Sequence, residues 1–186
     1  TVNGDLNLGV VNAVTRIGPG TTITTTHLAN QSAELGFLTG ATINGTILLE
    51  GASANTRFIG MSTAGSLTIG ATGVIRSNTG YGGLAQIGVG NNFSGAMALT
   101  NNGLISSQVS GRTITINAAT SFANSGTIEA LNGGILTITT TGWTNTGTIA
   151  VGPGSVVNLG PLNATGGIGT FNNTGGTVNI SSGTLD

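Results

Sequence analysis

A chain of 186 residues with 34 glycines, 5 % charged residues, four arginines (Arg16, Arg57, Arg76, Arg112), no lysine and a net charge of −1 offers little to attract nucleic acid or anionic lipid. Without cysteine it holds neither disulfides nor thiolate metal sites, and no apolar run approaches the roughly 18 residues of a membrane span. So much Gly, Ser and Thr raises the question of disorder, but Ile, Val, Leu and Thr recur throughout, so the composition predicts a single packed β domain over residues 1–186.

In chain order, "TVNGDLNLG" (1–9) is echoed by "TINGTILLEG" (42–51), and "IGPGTTI" (17–23) by "VGPGSVV" (151–157). The opening at Thr1, without an initiating Met, reads as a processed chain or an excised fragment. Between these echoes, "THLANQSAELGFL" (26–38) spaces Leu28, Leu35 and Leu38 roughly as a helix would. Its Asn, Ser and Gly make a loop or an irregular coil the better expectation. "GSLTI" (65–69) then introduces a Gly-x-apolar-x-apolar element. It returns as "GRTITI" (111–116), "GILTI" (134–138) and "GSVVNL" (154–159).

A second pattern alternates with it: "LTNNGLI" (99–105), "FANSGTI" (122–128), "WTNTGTI" (143–149) and "FNNTGGTV" (171–178). Each has an apolar or aromatic residue, Asn two positions on, Gly, and an aliphatic residue. Alternation places Ile114, Ile116, Ile128, Leu136, Ile138 and Ile149 on one face of short strands and Thr115 and Thr137 on the other. Strands this short cannot bury a core alone. Stacked as coils of about 21–23 residues, they can share one and pair with the coils above and below.

The expected fold is therefore all-β, a parallel β-helix, with residues 1–98 forming irregular coils with insertions and 99–186 regular ones. Insertions stretch the period between 76 and 98 and again between 160 and 170. A β-sandwich or jelly roll is the alternative. Gly at the bends supplies positive φ and close backbone approach, while Asn tolerates the left-handed region. Asn101, Asn124 and Asn145 fall in register for an amide ladder. Phe122, Trp143 and Phe171 share one repeat position and are read as core stackers rather than a sugar-binding row.

The units "F-x-N-x-G-T-I … G-x-L-T-I" resemble the repeats of bacterial filamentous-haemagglutinin and autotransporter-passenger proteins, well over 99–186 and loosely over 1–75. The resemblance implies a right-handed parallel β-helix, export across the bacterial envelope, and roles in surface adhesion, biofilm or extracellular fibres. It leaves the secretion route open, since no secretion domain or membrane barrel is present in the sequence.

No catalytic, cofactor-binding or metal-binding residue is assigned. Asp5, Glu34, Glu50, Glu129 and Asp186 lie far apart in sequence, and Glu50 and Glu129 read as lone solvated charges. His27 is the only histidine, with no acid nearby in sequence to orient it. The sequons at Asn30, Asn44, Asn92, Asn163 and Asn179 read as chance in a chain rich in Asn and Thr. No P-loop, nucleophile elbow or Asp-bearing calcium repeat occurs.

The expected function is a non-catalytic structural or adhesive extracellular module at a bacterial surface. The alternatives are a ligand-binding solenoid for ice or carbohydrate, with Thr113/Thr115 and Thr137/Thr139 as candidate rows, and then a polysaccharide-active enzyme. The chain ends at "NISSGTLD" (179–186), where Leu185 aligns with Leu136 and Asp186 with Thr137. With no cap evident at Val2 or Leu185, the expected partner is the chain itself, head to tail, or further coils of a longer chain. A host surface or a polysaccharide is a further candidate partner.

Overall fold

The computed structural model describes residues 2–7, 14–17, 23–29, 32–160, 170–173 and 175–180. The chain winds in coils. β1 (Val2–Asn7) and β2 (Val14–Ile17) come first, followed by β3 (Ile23–Leu28), β4 (Glu34–Phe37) and β5 (Ala41–Ile43). The next two coils are β6 (Thr46–Leu49), β7 (Thr56–Met61) and β8 (Gly65–Ile69), then β9 (Val74–Ser77), β10 (Leu84–Gly88) and β11 (Met97–Asn101). After them come β12 (Leu104–Ser107), β13 (Thr113–Asn117) and β14 (Ser121–Asn124), and β15 (Thr127–Ala130), β16 (Ile135–Ile138) and β17 (Thr144–Asn145). β18 (Thr148–Val151), β19 (Val156–Leu159), β20 (Thr170–Asn173) and β21 (Thr177–Ile180) complete the described strands.

Every ladder between these strands is parallel. The first sheet runs β1-β3-β6-β9-β12-β15-β18-β20, the second β2-β4-β7-β10-β13-β16-β19-β21, and the third β5-β8-β11-β14-β17. This is a three-sided parallel β-helix, and its parallel pairing rules out the antiparallel sandwich. Of residues 26–38, those in β3 and β4 are strand rather than helix, with Leu28 and Leu35 fully buried.

Alternation does what the sequence predicts. Ile114, Ile116, Ile128, Leu136, Ile138 and Ile149 are all buried, while Thr115 and Thr137 face outward in register with each other. In the regular coils of the second sheet an inward column pairs like with like, as in Ile114–Leu136–Val157. Neighbours in a ladder lie about 4.8 Å apart, so the core is continuous through the stack.

Two repeat assignments move. "GSLTI" lies in the third sheet, where Leu67 pairs with Leu99, and not beside "GILTI" in the second. "FNNTGGTV" enters the first sheet: Phe171 pairs with Ile149 and Val178 with Val157, so Phe171 is outside the Phe122/Trp143 column. The coil length explains this. Thr148 and Thr170 are paired only 22 residues apart, so the coil is not stretched between 160 and 170, and counting back from Phe171 reaches the first sheet. The long coils lie earlier, where Thr46, Val74 and Leu104 stand in register at steps of 28 and 30 residues. Leu185 and Asp186 lie outside the described residues.

The Asn-x-Gly signature marks the corner from the third sheet to the first. Asn101 Nδ2 donates to Asn124 Oδ1 at 2.6 Å and Asn124 Nδ2 to Asn145 Oδ1 at 2.5 Å. These amides continue the inward column begun by Ile43 and Ile69. Gly126 and Gly147 follow because a Cβ there would overlap the carbonyl of Gly103 or Gly126 one coil below. Close approach, not positive φ, fixes them; neither they nor the ladder asparagines have positive φ. Positive φ belongs to other bends, such as Gly111 and Gly133.

Removing the middle rung tests the ladder. Asn124→Ala takes the acceptor from Asn101 and the donor from Asn145, and is expected to cost about 2–3 kcal/mol in denaturant unfolding. Stability unchanged within error would mean that the amides contribute nothing net.

Candidate functional site

Most of the described ionisable side chains outside the core gather on the outer face of the first sheet. In one column His27 pairs with Leu48, Leu48 with Arg76, Arg76 with Ser106, Ser106 with Glu129 and Glu129 with Ala150. Parallel in-register stacking thus brings together residues that sequence spacing keeps apart. Beside this column, just past their strands, stand Glu50 and Asn78.

Two expectations are overturned here. His27 does have an acid partner, its Nδ1 lying 2.7 Å from Glu50 Oε2. Glu50 is not a lone charge, since Asn78 Nδ2 also donates to its Oε1 at 2.5 Å. Glu50 lies two residues past Leu48, the register partner of His27 one coil of 21 residues on, so the coil period brings it within reach. Burial alone would raise the Glu50 pKa, but hydrogen bonds from Asn78 and His27, with the charges of His27 and Arg76, hold it below the usual value. Glu129 does face outward and is half-buried, accepting a bond from Ser106 Oγ at 2.7 Å.

The Glu50 environment makes a pH prediction. A carboxylate whose folded pKa is depressed adds stability above its unfolded pKa and loses it as pH falls through the folded value. The Glu50 contribution is therefore present above about pH 4 and fades below it. Glu50→Gln is expected to flatten the acid limb of the stability profile. An acid limb identical to that of the unmodified chain would show that the network is energetically silent.

Two further ionisable groups are buried, and sequence reasoning missed both. Glu34 is fully buried. Its carboxylate accepts from the backbone N–H of Asn92 (2.8 Å), the Asn92 side-chain amide (2.8 Å) and the N–H of Phe93 (2.8 Å). Arg57 occupies an inward column, paired with Ala85, which pairs in turn with Ile114. Its guanidinium donates to the carbonyls of Ser53 (2.7 Å), Asn55 (2.5 Å), Glu50 (2.7 Å) and Gly51 (3.1 Å). It also lies 5.0 Å from the centroid of the Tyr81 ring. Burial lowers the Arg57 pKa and raises that of Tyr81. A signal existed for each: "ELGF" and "FIGM" put Gly inside a strand, which marks close approach, and Arg57 stands two residues before inward-facing Ile59.

The aromatic expectation holds for two of its three members. Phe122 and Trp143 are buried and stacked at 5.9 Å between centroids, and Trp143 Nε1 donates to Gly160 O at 3.2 Å. The threonine rows do not align. Thr115 pairs with Thr137 but Thr113 pairs with Ile135, so Thr113/Thr115 and Thr137/Thr139 are offset by two residues. In the same column Thr137 is followed by Asn158 and Asn179, which hydrogen-bond to one another at 2.8 Å.

Among the sequons, Asn44 is exposed, the Asn92 amide is bonded to Glu34 and the Asn179 amide to Asn158; Asn30 and Asn163 lie outside the described residues. Asp5 lies in β1, and Asp186 lies outside the described residues. Among the described residues no group of three or more His, Asp or Glu could hold a metal ion. Glu50 and Glu129 are attached to strands three coils apart, about 14 Å along the stack. Glycosidase carboxyl pairs stand about 5–9.5 Å apart. Compared with protein-family models, curated proteins and solved structures, the chain matches none.

Proposed function

We propose that this chain is a non-catalytic structural or adhesive β-solenoid module of a bacterial surface protein or extracellular fibre. The observation that carries the reading is the continuity of two eight-stranded parallel ladders, reinforced inside by the amide ladder. Such a stack grows by one coil at a time through identical backbone pairing, so neighbouring coils, from a longer chain or from a second copy, add without new chemistry. The repeat resemblance supports an extracellular setting.

The polar face of the first sheet, from His27 to Glu129, is the contact surface we assign, with surface polysaccharide as its partner class. The dispersal of the carboxylates supports a binding role over hydrolysis, and the offset threonine rows disfavour a lattice-matched ice face.

The test is display of the chain on a non-adherent bacterial cell, with electron microscopy of the purified protein. Adhesion to polysaccharide-coated surfaces that falls about tenfold in an Arg76→Ala, Glu129→Ala double variant is expected, roughly 1.4 kcal/mol of binding. End-to-end filaments or rods one coil wide are expected in the micrographs. Polysaccharide turnover that vanishes in Glu50→Gln would replace this reading with an enzymatic one.

A further inference from the structure

Between β10 and β11 the chain leaves the coil, and residues 89–95 fold back as a strap over the outer face of the second sheet. Three kinds of contact hold it. The Phe93 ring lies over Gly36, where any Cβ would overlap it, and a Cβ at Gly60 would come within 2.6 Å of the Phe93 carbonyl. Gly36 and Gly60 are paired neighbours, so together they floor a shallow groove. Glu34, at one end, grips the N–H groups of Asn92 and Phe93. At the other end Ser94 forms a parallel bridge with Met61, and Gly95 N–H donates to Met61 O at 2.9 Å.

These are the parts of a peptide-recognition site: a pocket for one aromatic side chain, a carboxylate for two consecutive backbone donors, and strand-type pairing for the residues beyond. The occupant is on view, since it is the chain's own Asn92-Phe93-Ser94-Gly95. Phe93 is 3 % exposed, so the seat is well filled. We infer that this groove is a recognition site for the Asn-Phe-Ser-Gly segment that can be filled by the same segment of a second copy, joining two solenoids side by side. Gly88, at φ 143°, precedes the strap and supplies the hinge about which it can leave one groove for another, while Gly90 and Gly95 within it allow its close approach to the Glu34 carboxylate and the Thr63 backbone. The inference rests on the groove alone and not on the adhesive reading above.

The experiment uses two variants of the full chain. In one, residues 89–95 are replaced by a Gly-Ser segment of equal length, which empties the groove. In the other, Gly36→Leu fills the groove and frees the strap. Folding of each is checked by circular dichroism and thermal melting. A synthetic peptide of residues 90–96 is titrated into the strapless chain, with the amide resonances of Gly36 and Gly60 as the readout. Saturable shifts with a dissociation constant of about 1 mM are expected, the range in which a tethered segment is held by effective concentration. A peptide carrying Phe93→Ala should bind at least about tenfold more weakly. If the strapless chain does not fold, Phe93→Ala in the full chain vacates the aromatic seat and takes its place.

Mixed at about millimolar concentration, the strapless and Gly36→Leu chains should sediment in part as a one-to-one complex that neither forms alone. Absence of saturable peptide binding overturns the recognition site. Peptide binding without the mixed complex overturns exchange between copies.

Discussion

Ile138→Asp is expected to abolish cooperative unfolding. Ile138 is 1 % exposed and sits midway along the inward column Ile116–Ile138–Leu159 of the second sheet. A carboxylate there has no cationic partner, and burying it unpaired costs several kcal/mol or forces its protonation. A domain holds only about 5–15 kcal/mol in total. In a solenoid the damage is not local: each coil is stabilised through its neighbours, so a coil that cannot pack separates the stack into two shorter ones. Thr137→Asp, one residue away on the outer face, is the control and should shift the midpoint by no more than about 0.5 kcal/mol. Equal melting of Ile138→Asp and the unmodified chain would mean that the strand faces the other way, because a one-residue slip exchanges the two faces.

The ease with which that register could be read, against the difficulty of the site, has a physical cause. Alternation and repeat length are properties of short windows, so Ile114, Leu136 and Ile138 could be placed inside from the sequence. The amide ladder was equally legible, because its asparagines recur at one-coil intervals. Long coils broke this reading. Between Thr46 and Leu104 the steps are 28 and 30 residues, and a period of 21–23 carried through them puts "GSLTI" on the wrong sheet. Phe171 failed for the opposite reason, an insertion being assumed where the coil has its ordinary length.

The polar face shows a third limit. Glu50 stands two residues past Leu48, the register partner of His27 in the next coil, yet a search for acids close in sequence to the histidine passes over it. Glu34 and Asn92 are 58 residues apart and meet only because the strap reaches back over earlier coils. No periodicity announces such a contact. The glycines beneath the strap are its only trace in the sequence, as small residues where a strand should carry side chains.

Arg57→Met is the second large effect and separates a buried charge from the space it fills. Met keeps much of the apolar stem, so the substitution leaves little void and removes mainly the charge and its donors. It strips the donors from four carbonyls, those of Ser53, Asn55, Glu50 and Gly51, in the bend between β6 and β7. The bend is only partly buried, Asn55 being exposed, so water meets some of the freed carbonyls, and the loss is expected to be about 2–3 kcal/mol, the upper range for removing the charged donor of such hydrogen bonds. Arg57→Lys keeps the charge but cannot span four acceptors with a planar fork, and should recover less than half of the loss. Tyr81→Leu removes only the ring beneath the guanidinium and should cost about 1–2 kcal/mol beyond its packing. One consequence reaches the surface. Glu50 gives its carbonyl to Arg57 and its carboxylate to His27 and Asn78, so loosening the bend should also erase the acid-dependent stability carried by Glu50. The acid limb of Arg57→Met is therefore expected to match that of Glu50→Gln. A full acid limb in a destabilised Arg57→Met chain would show that the bend holds Glu50 in place without the arginine.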